Sequence, residues 1–256
     1  MSVNKLSDST DAATIRLAIA CVIANENASV IAFVSQMLEV CRALKEVKFI
    51  AVFDKTDKDG TYEIVKKLAE EDSRILVIYD ENSKNVVEAI VTAYRAALAT
   101  QYEWILEINA GFRHQPRDLY KFIPYMTRGY DCIFGSRFMT DGSMKAPSIL
   151  RSIYSKGGTL LANLTLGTKL TDMTSGFQVI KREVAISIFD QKILSKYHFI
   201  NTEMKFYCKD FKTIEVPIMY ETKAANLKMA ALVDAFLNLY RLIVIRMQRA
   251  IQYKGN

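Results

Sequence analysis

Residues 17–26 read LAIACVIANE, an uninterrupted apolar run that ends in the polar pair Asn25 and Glu26. A continuous run of this kind is typical of a β-strand buried on both faces, as in parallel sheets covered by helices. In such sheets, ligands bind beyond the carboxyl ends of the strands. The run therefore predicts a core strand, and the polar residues after it predict one edge of a ligand site.

The rest of the first half alternates between strand and helix patterns. Further short apolar runs predict strands at residues 49–53, 75–79, 104–108 and 130–134. Apolar residues recur at helical spacing in residues 29–44, 62–71 and 86–99. This alternation with short links indicates an α/β fold, a mostly parallel sheet flanked by helices.

Polar segments follow four of these predicted strands, and three of the segments contain glycine. They lie at residues 25–26, 54–61, 109–114 and 135–137. Because the carboxyl ends of parallel strands meet at one edge of a sheet, these segments predict a single ligand cleft.

Composition excludes several classes of protein. The chain of 256 residues has 34 Lys and Arg against 28 Asp and Glu, a net charge of +6, with four prolines and ten glycines. Few prolines and glycines exclude a fibrous or largely disordered chain, and the length favours one large domain. The mild positive charge suits an anionic ligand or a membrane surface, and it is too weak and dispersed to indicate nucleic acid as a partner.

Cysteine spacing and the N-terminus bear on the compartment. The four cysteines are far apart in sequence and form no C-x-x-C pair, which argues against zinc and disulfides and for buried thiols in a reducing environment. Residues 1–14 are polar and acidic and resemble no signal peptide. No run of about 18 apolar residues occurs. We expect a cytoplasmic protein, peripheral at the inner face of the membrane if it binds lipid.

Six short motifs follow one another along the chain. They are VIANE at 22–26, DKTDKDGT at 54–61, EINAGFRHQPRDL at 107–119, GSRF at 135–138, DMTSGF at 172–177 and EVPI at 215–218. In order and interval they resemble the motifs of the family 2 glycosyltransferases, in the branch of dolichol-phosphate mannose synthase and the bacterial polyprenyl-phosphate glycosyltransferases. The resemblance covers residues 15–229.

This resemblance implies a fold and an activity. The fold is the GT-A nucleotide-diphosphosugar transferase fold, here at residues 15–228, after a tail at 1–14 and before an amphipathic C-terminal helix and tail at 229–256. The activity is inverting transfer of a sugar from a nucleotide-sugar donor to a lipid phosphate or a glycan, in polysaccharide or glycolipid synthesis.

The resemblance also implies residues for the donor. Glu26 and Asp54 are expected to accept hydrogen bonds from the nucleoside, because carboxylates suit base N–H and ribose hydroxyl donors. The alternative for both is a cap at the N-terminus of the following helix. Asn109, Ala110 and Gly111 are expected beside the diphosphate. Lys228 is expected to contact the nucleotide, and Lys223 is expected to share the positive charge at the departing diphosphate.

The largest departure from the family lies at its D-x-D motif. The two metal-binding aspartates and a nearby glutamine are replaced by Asn109, Gly111 and Arg113. Asparagine is a poorer ligand for a hard cation, glycine has no side chain, and arginine is itself a cation. We therefore expect no metal cofactor, with Mg²⁺ or Mn²⁺ as the alternative if Glu107 or Asn109 rebuilds a site.

Two consequences of this departure compete. In the first, Arg113 and Arg137 supply the positive charge that a metal would give to the departing diphosphate. In the second, the chain is a non-catalytic pseudo-glycosyltransferase that binds a nucleotide-sugar or acts as a scaffold.

Other residues are expected on the acceptor side. Asp172 is expected to act as a base or to orient the acceptor, although a lipid phosphate is already an anion and needs no base. Arg151 and Lys156 resemble a basic segment that meets an acceptor phosphate, or else form a solvated helix face. Ser175 and Glu203 are expected to line the acceptor cleft.

Residues 229–253 lack helix breakers and combine many apolar residues with Arg241, Arg246 and Arg249. The charges argue against a membrane-spanning segment. One interpretation is a helix in the plane of a membrane surface, with arginines meeting lipid phosphates. The other is a helix packed on the domain or in a homodimer.

Overall fold

The computed structural model describes residues 12–145, 149–221 and 228–254. The predicted tail at 1–14 therefore lies almost entirely outside the described residues. Within these ranges, no helix combines the length and the apolarity that crossing a bilayer requires.

Strands and helices alternate through the first half, as the periodicity predicts. The strands are β1 (Arg16–Val22), β2 (Glu46–Phe53), β3 (Ile75–Tyr79), β4 (Trp104–Glu107), β5 (Cys132–Ser136), β6 (Ser143–Lys145), β7 (Gln178–Lys181), β8 (Thr213–Pro217) and β9 (Met219–Glu221). The α-helices are α1 (Val30–Val40), α2 (Thr61–Glu71), α3 (Val86–Ala99), α4 (Ile123–Met126), α5 (Ile149–Leu166), α6 (Arg182–Phe189), α7 (Ile200–Tyr207) and α8 (Met229–Lys254). A 3₁₀ helix spans Pro116–Lys121.

Seven strands form the main sheet in the order β3-β2-β1-β4-β7-β5-β8. The four strands β1 to β4 are mutually parallel, and β5 is parallel to β8. Only β7 runs against its neighbours β4 and β5 within this sheet. The predicted α/β class with a mostly parallel sheet is confirmed. The C-terminal helix is confirmed as well.

Burial on both faces explains the opening apolar run. Leu17 and Ile19 of β1 enter one apolar cluster, together with Phe33 of α1. Ala18 enters a second cluster, which includes Tyr94 of α3. Since helices cover both faces of the sheet, a central strand has no side that can be polar.

Capping fixes the start of α3. The Asn85 side chain accepts hydrogen bonds from the backbone N–H groups of Val87 (3.0 Å) and Glu88 (3.2 Å). These bonds satisfy two of the donors that a helix N-terminus leaves without intrahelical partners. Asn85 lies at the same sheet edge as the polar loops.

A small second sheet and the last helix complete the described fold. Strands β6 and β9 pair in parallel, and a single bridge joins His114 to Tyr220 of β9. Helix α8 packs along α5 and α7. The loop after β4, the second sheet and the α5–α8 pair therefore meet at one side of the main sheet.

Candidate active site

A cavity of about 670 Å³ opens at the carboxyl ends of β1, β2 and β4. Its polar side includes Glu26, Asp54, Asn109 and Ala110, and also Arg113, Arg137 and Ser175. Its other side comes from α5 and α8 and is mainly apolar, with Ile153, Leu161, Leu232, Phe236 and Leu239. The cavity thus joins a charged region to an apolar one.

The loops after β1 and β2 form one hydrogen-bonded unit. Asn25, in the left-handed region at φ 57°, donates from Nδ2 to the Thr56 carbonyl (2.8 Å) and accepts from the Lys58 N–H (2.9 Å). Asp54 is buried and accepts from the Thr56 N–H (2.8 Å). Its carboxylate therefore stabilises its own loop and also lines the cavity, but it does not cap α2, whose N-cap position is Gly60.

Glu26, in the loop after β1, lies between the loops that follow β2 and β4. Its N–H donates to Thr61 Oγ1 (2.9 Å), and its Oε2 accepts from Ser29 Oγ (3.1 Å). The carboxylate lies directly against Gly111, where a Cβ atom would come within 2.2 Å of the carboxyl carbon and of both oxygens. Sequence reasoning placed these two residues in separate motifs.

The loop after β4 brings Arg113 to the cavity with an uncommitted donor. Its carbonyl accepts from the Glu221 N–H (2.8 Å), which ties the loop to β9. Its Nε is buried and has no hydrogen-bond partner among the described residues. A buried guanidinium donor without a partner is costly unless a ligand satisfies it.

His114 follows as a buried, neutral ring. Its centroid lies 5.0 Å from that of Tyr220 and 5.5 Å from that of Phe177, and neither ring nitrogen has a hydrogen-bond partner in the part of the chain that is described. Burial, reinforced by the nearby charge of Arg137, lowers its pKa to about 3. The imidazole is therefore uncharged at physiological pH.

Asp172 and Arg137 form a buried, bidentate ion pair. Arg137 donates from Nε to Oδ2 (2.7 Å) and from Nη2 to Oδ1 (2.8 Å) of Asp172. The backbone N–H groups of Arg137, Thr174 and Ser175 also donate to this carboxylate, at 3.0 to 3.2 Å. Burial opposes ionisation of Asp172, but these bonds and the Arg137 charge outweigh it and hold the pKa well below its usual range.

Aromatic rings fix the guanidinium of Arg137. Its central carbon lies 5.2 Å from the ring centroids of both Phe138 and Tyr220. Such contacts attract a cation to the ring face. Arg137 lines the cavity in a fixed orientation, with Asp172 behind it.

Lys205 of α7 is a site residue that the sequence analysis missed. It is almost fully buried, and its ammonium donates to the carbonyls of Asp172 (2.6 Å) and Ser175 (3.0 Å). Burial lowers its pKa to about 8, against the opposing effect of the Asp172 charge. A lysine between Met204 and Phe206, in a helix with apolar surroundings, is the signal that could have indicated it.

Several expected site residues lie away from the cavity. Glu203 is buried and accepts from the N–H groups of Leu194 (2.8 Å) and Ser195 (3.0 Å), so it supports that loop and does not line the cleft. Lys228 is exposed, and its carbonyl accepts from the Ala231 N–H at the start of α8. Neither residue reaches the cavity that the motifs predicted for it.

The basic acceptor segment is only partly described. The Lys156 ammonium is exposed and lies 5.5 Å from the Phe138 ring centroid, at the rim beside Arg137. Arg151 belongs to α5, but its side chain lies outside the described residues, as does Lys223.

Two arginines of α8 contact the domain, whereas Arg241 is exposed and donates to Asn238 of the same helix. Arg246 donates to the Thr165 carbonyl (2.6 Å), and Arg249 lies over the rings of Phe206 (5.8 Å) and Tyr207 (5.5 Å). These contacts favour the alternative in which the helix packs on the domain, and the helix at a membrane surface stays a prediction. Several large apolar side chains of α8 are exposed, with Phe236 63% and Tyr240 68% exposed, while Leu239 and Leu242 are buried.

The residues at the D-x-D position do not fit the family's metal. Asn109 and Arg113 line the cavity, and the space beside Gly111 is filled by the Glu26 carboxylate. Within the described ranges, no three His, Cys, Asp or Glu side chains are grouped as they would be around a metal ion. A hard divalent cation prefers several carboxylate oxygens in one place.

Fold and cleft together define the class of protein. A mostly parallel sheet whose polar loops converge at one edge, with an antiparallel strand that brings a further motif to the same edge, is the GT-A architecture of nucleotide-sugar-dependent glycosyltransferases. Residues 19–189 match the family described as Glycosyl transferase family 2. The chain belongs to this family and is a glycosyltransferase, as its resemblance implied.

The names of three relatives describe enzymes that act on lipid phosphates. The chain is 27% identical over 184 residues to the undecaprenyl-phosphate mannosyltransferase of Micrococcus luteus, covering 71% of this chain and 75% of that protein. It is 25% identical over 174 residues to the polyprenol monophosphomannose synthase of Mycolicibacterium smegmatis, covering 67% of this chain and 66% of that protein. For the dolichol-phosphate mannosyltransferase of Pyrococcus furiosus the identity is 25% over 199 residues, covering 76% of this chain and 54% of the relative.

Solved structures agree on the fold. Glucosyl-3-phosphoglycerate synthase of Mycobacterium tuberculosis, in complex with Mn²⁺, UDP and phosphoglyceric acid, gives a TM-score of 0.64 at 15% identity, covering 93% of this chain and 81% of that one. At this identity the likeness shows the fold alone.

Proposed function

We propose that the chain transfers a sugar, with inversion, from a nucleotide-sugar to a polyprenyl phosphate, and that it does so without the D-x-D metal. The observation that carries the proposal is the cavity, in which Arg113 and Arg137 face a mainly apolar wall. A polyprenyl phosphate has the same two parts, an anionic head and an apolar chain. The names of the relatives point to the same acceptor class.

The donor binds at the polar loops. Glu26 and Asp54 accept hydrogen bonds from the nucleoside, and the loop at Asn109 and Ala110 lies under the diphosphate. The Nε of Arg113, which has no partner among the described residues, then donates to a diphosphate oxygen. As the sugar leaves, negative charge grows on that diphosphate, and a cation held in place stabilises it.

The carboxylate of Asp172 already accepts several hydrogen bonds, and this favours a phosphate acceptor over a hydroxyl acceptor. A hydroxyl must lose its proton, and a carboxylate with a strongly lowered pKa and all its hydrogen bonds in use is a poor base. A phosphate monoester is already ionised. Asp172 therefore orients Arg137, and Arg137 meets the acceptor phosphate.

The reaction is a single displacement. An acceptor phosphate oxygen attacks the anomeric carbon from the face opposite the diphosphate, and the bond from that carbon to the diphosphate oxygen breaks. The electron pair leaves with the nucleoside diphosphate. One displacement of this kind inverts the configuration at the anomeric carbon.

The acceptor's chain leaves between α5 and α8. Both helices carry large apolar side chains that are exposed beyond the cavity, such as Leu164 on α5 and Leu237 on α8. Exposed apolar side chains grouped on neighbouring helices are typical of an interaction site. They support a peripheral location at the surface of the membrane that holds the acceptor.

Arg113 provides the first test. Arg113→Ala is expected to lower the rate of transfer from a radiolabelled nucleotide-sugar to undecaprenyl phosphate by about 100-fold or more, because the leaving group loses its cation. The control is Arg117→Ala, in the 3₁₀ helix that follows this loop, where the side chain is exposed. Equal rates for the two variants would contradict the role of Arg113.

The same assay separates this proposal from a non-catalytic binding protein. A panel of UDP-, GDP-, CMP- and dTDP-linked sugars is used, each with Mn²⁺ and with EDTA. Transfer that persists in EDTA supports the metal-free site. Binding of one nucleotide, measured by thermal shift, without transfer to any acceptor would favour the pseudo-glycosyltransferase.

A further inference from the structure

We infer that His114 and Asn201 bind hydroxyl groups of the transferred sugar and so help to determine which sugar the chain accepts. The inference rests on the proposed function and names specificity-determining residues for the sugar part of the donor. Both side chains line the cavity, and both have buried polar atoms without a hydrogen-bond partner in the described part of the chain.

His114 contributes two of these atoms. Its side chain is almost fully buried, and neither Nδ1 nor Nε2 has a partner among the described residues. The ring packs against the rings of Phe177 and Tyr220, contacts that a phenylalanine ring could make equally well. A buried polar atom without a partner lowers stability, and native proteins keep few of them. The two nitrogens therefore point to a ligand that satisfies them.

Asn201 of α7 contributes a third atom, Oδ1, which is buried and has no partner within the described ranges. Its amide lies against Gly176, where a Cβ would come within 3.1 Å of Nδ2 and 3.2 Å of Oδ1. His114 packs on Phe177, the next residue along the chain. Both side chains thus contact the segment 172–177 at adjacent residues, and both belong to the cavity wall.

The position of His114 favours the sugar over the two phosphate groups as its ligand. His114 directly follows Arg113, and its ring contacts the same Tyr220 ring that lies 5.2 Å from the Arg137 guanidinium. In the proposed reaction, Arg113 binds the diphosphate and Arg137 binds the acceptor phosphate. The anomeric carbon must lie between these two anions, and the sugar ring must lie there with it.

The chemistry of the two side chains also fits hydroxyl groups. Burial, reinforced by the charges of Arg137 and Lys205, lowers the pKa of His114 to about 3, so the ring is neutral. In a neutral imidazole one nitrogen donates and the other accepts, and a sugar hydroxyl can likewise do both. A phosphate needs donors and is bound more strongly by arginine, whose hydrogen bonds carry charge.

Paired binding measurements test the inference. Isothermal titration calorimetry compares UDP-glucose, UDP-N-acetylglucosamine and GDP-mannose with free UDP and GDP, for the wild type and for His114→Phe and Asn201→Leu. Each substitution is expected to weaken binding of the accepted nucleotide-sugar by about five- to ten-fold, as for the loss of a hydrogen bond. Binding of the free nucleotide is expected to change by less than about two-fold, because the nucleotide does not reach these side chains.

Stability without ligand gives a second readout. His114→Phe removes two unpartnered polar atoms and keeps a ring, so the Tm near neutral pH should be unchanged or higher. The matched control is Tyr94→Phe, since Tyr94 is not among the described residues that line the cavity and its hydroxyl donates to Glu107 (2.9 Å). This control should lower the Tm and leave nucleotide-sugar binding unchanged.

Two results would overturn the inference while leaving the proposed function in place. One is equal weakening of nucleotide and nucleotide-sugar binding by His114→Phe and Asn201→Leu, which would indicate a structural role. The other is nucleotide-sugar binding that neither substitution weakens. A wild type that binds none of the three nucleotide-sugars would instead contradict the proposed function, and the sugar site with it.

Discussion

At the scale of single residues, the ion pair of Asp172 and Arg137 predicts that Asp172 acts through Arg137. If Asp172 acts only by orienting Arg137, Asp172→Asn and Arg137→Ala should each reduce the rate of transfer strongly. The double variant should then be no slower than Arg137→Ala alone, because the second change removes nothing further. Steady-state rates of the three variants measure this. Effects that multiply would instead give Asp172 its own part as a base.

A second prediction concerns the buried side chain of Lys205. Lys205→Met keeps the length and apolar body of the side chain but removes the donor that two loop carbonyls share. Hydrogen bonds from a charged group contribute about 2 kcal/mol, so a loss of about 4 to 8 °C in Tm is expected. Thermal denaturation measures it, with Lys209→Met as the matched control near the surface of the same region. Equal losses would show that Lys205 is an ordinary packing residue.

Some of these roles were predictable and others were not. Asp54, Asn109, Arg113 and Arg137 follow strands within short motifs, and the sheet brings all four to the cavity. Lys205 could not be placed in this way, because its partners lie some 30 residues earlier and depend on how α7 packs. The contact of Glu26 with Gly111 joins two motifs, and no spacing within either motif predicts it.

At the scale of helices and strands, periodicity predicted the long elements well. Residues 86–99 form α3 with the expected bounds, since apolar spacing and the Asn85 cap agree. Strands β6, β7 and β9 have only three or four residues, and no continuous apolar run of the kind that marks β4 includes them. Their place is set by neighbouring strands, so the antiparallel β7 and the second sheet were not predicted.

Helix α8 carries an element-scale prediction. Arg246 and Arg249 contact the domain, whereas several large apolar side chains of the helix are exposed, so substitutions of the two groups should have different effects. Replacing Phe236 and Tyr240 by serine is expected to reduce binding to vesicles of anionic lipid by about ten-fold while leaving the Tm unchanged. Arg249→Ala is the matched variant and should lower the Tm with little effect on vesicle binding. Vesicle sedimentation and thermal denaturation measure the two effects. Weaker vesicle binding by Arg249→Ala with an unchanged Tm would instead indicate that this arginine binds lipid.

At the scale of the whole molecule, two buried groups predict how stability depends on pH. Burial lowers the pKa of His114 to about 3 in the folded protein. Between pH 6.5 and 3, His114 is therefore protonated in the unfolded chain but not in the folded one. Acidification below pH 6.5 therefore lowers stability, by up to about 1.4 kcal/mol per pH unit from this group. Burial raises the pKa of Glu107 to about 6, so between pH 6 and 4.5 the folded chain binds the extra proton and acidification raises stability.

The two opposing slopes can be separated by chemical denaturation from pH 7 to pH 4.5. His114→Phe is expected to remove most of the acid-side loss. Glu107→Gln is expected to steepen that loss, because the opposing gain disappears. A wild-type stability that does not change over this window, with no effect of either variant, would contradict both assignments.

The antiparallel strand β7 has a consequence for synthesis on the ribosome. It fills the centre of the sheet between β4 and β5, yet its Gln178 is bonded to Glu107 across 71 residues of chain. Until that segment has been translated, the nascent chain holds four paired strands whose β4 edge is open to the wrong partner. Growth at about 5–20 residues per second leaves this edge exposed for several seconds. Chaperone binding to stalled nascent chains should accordingly peak for lengths between the emergence of β4 and that of β7.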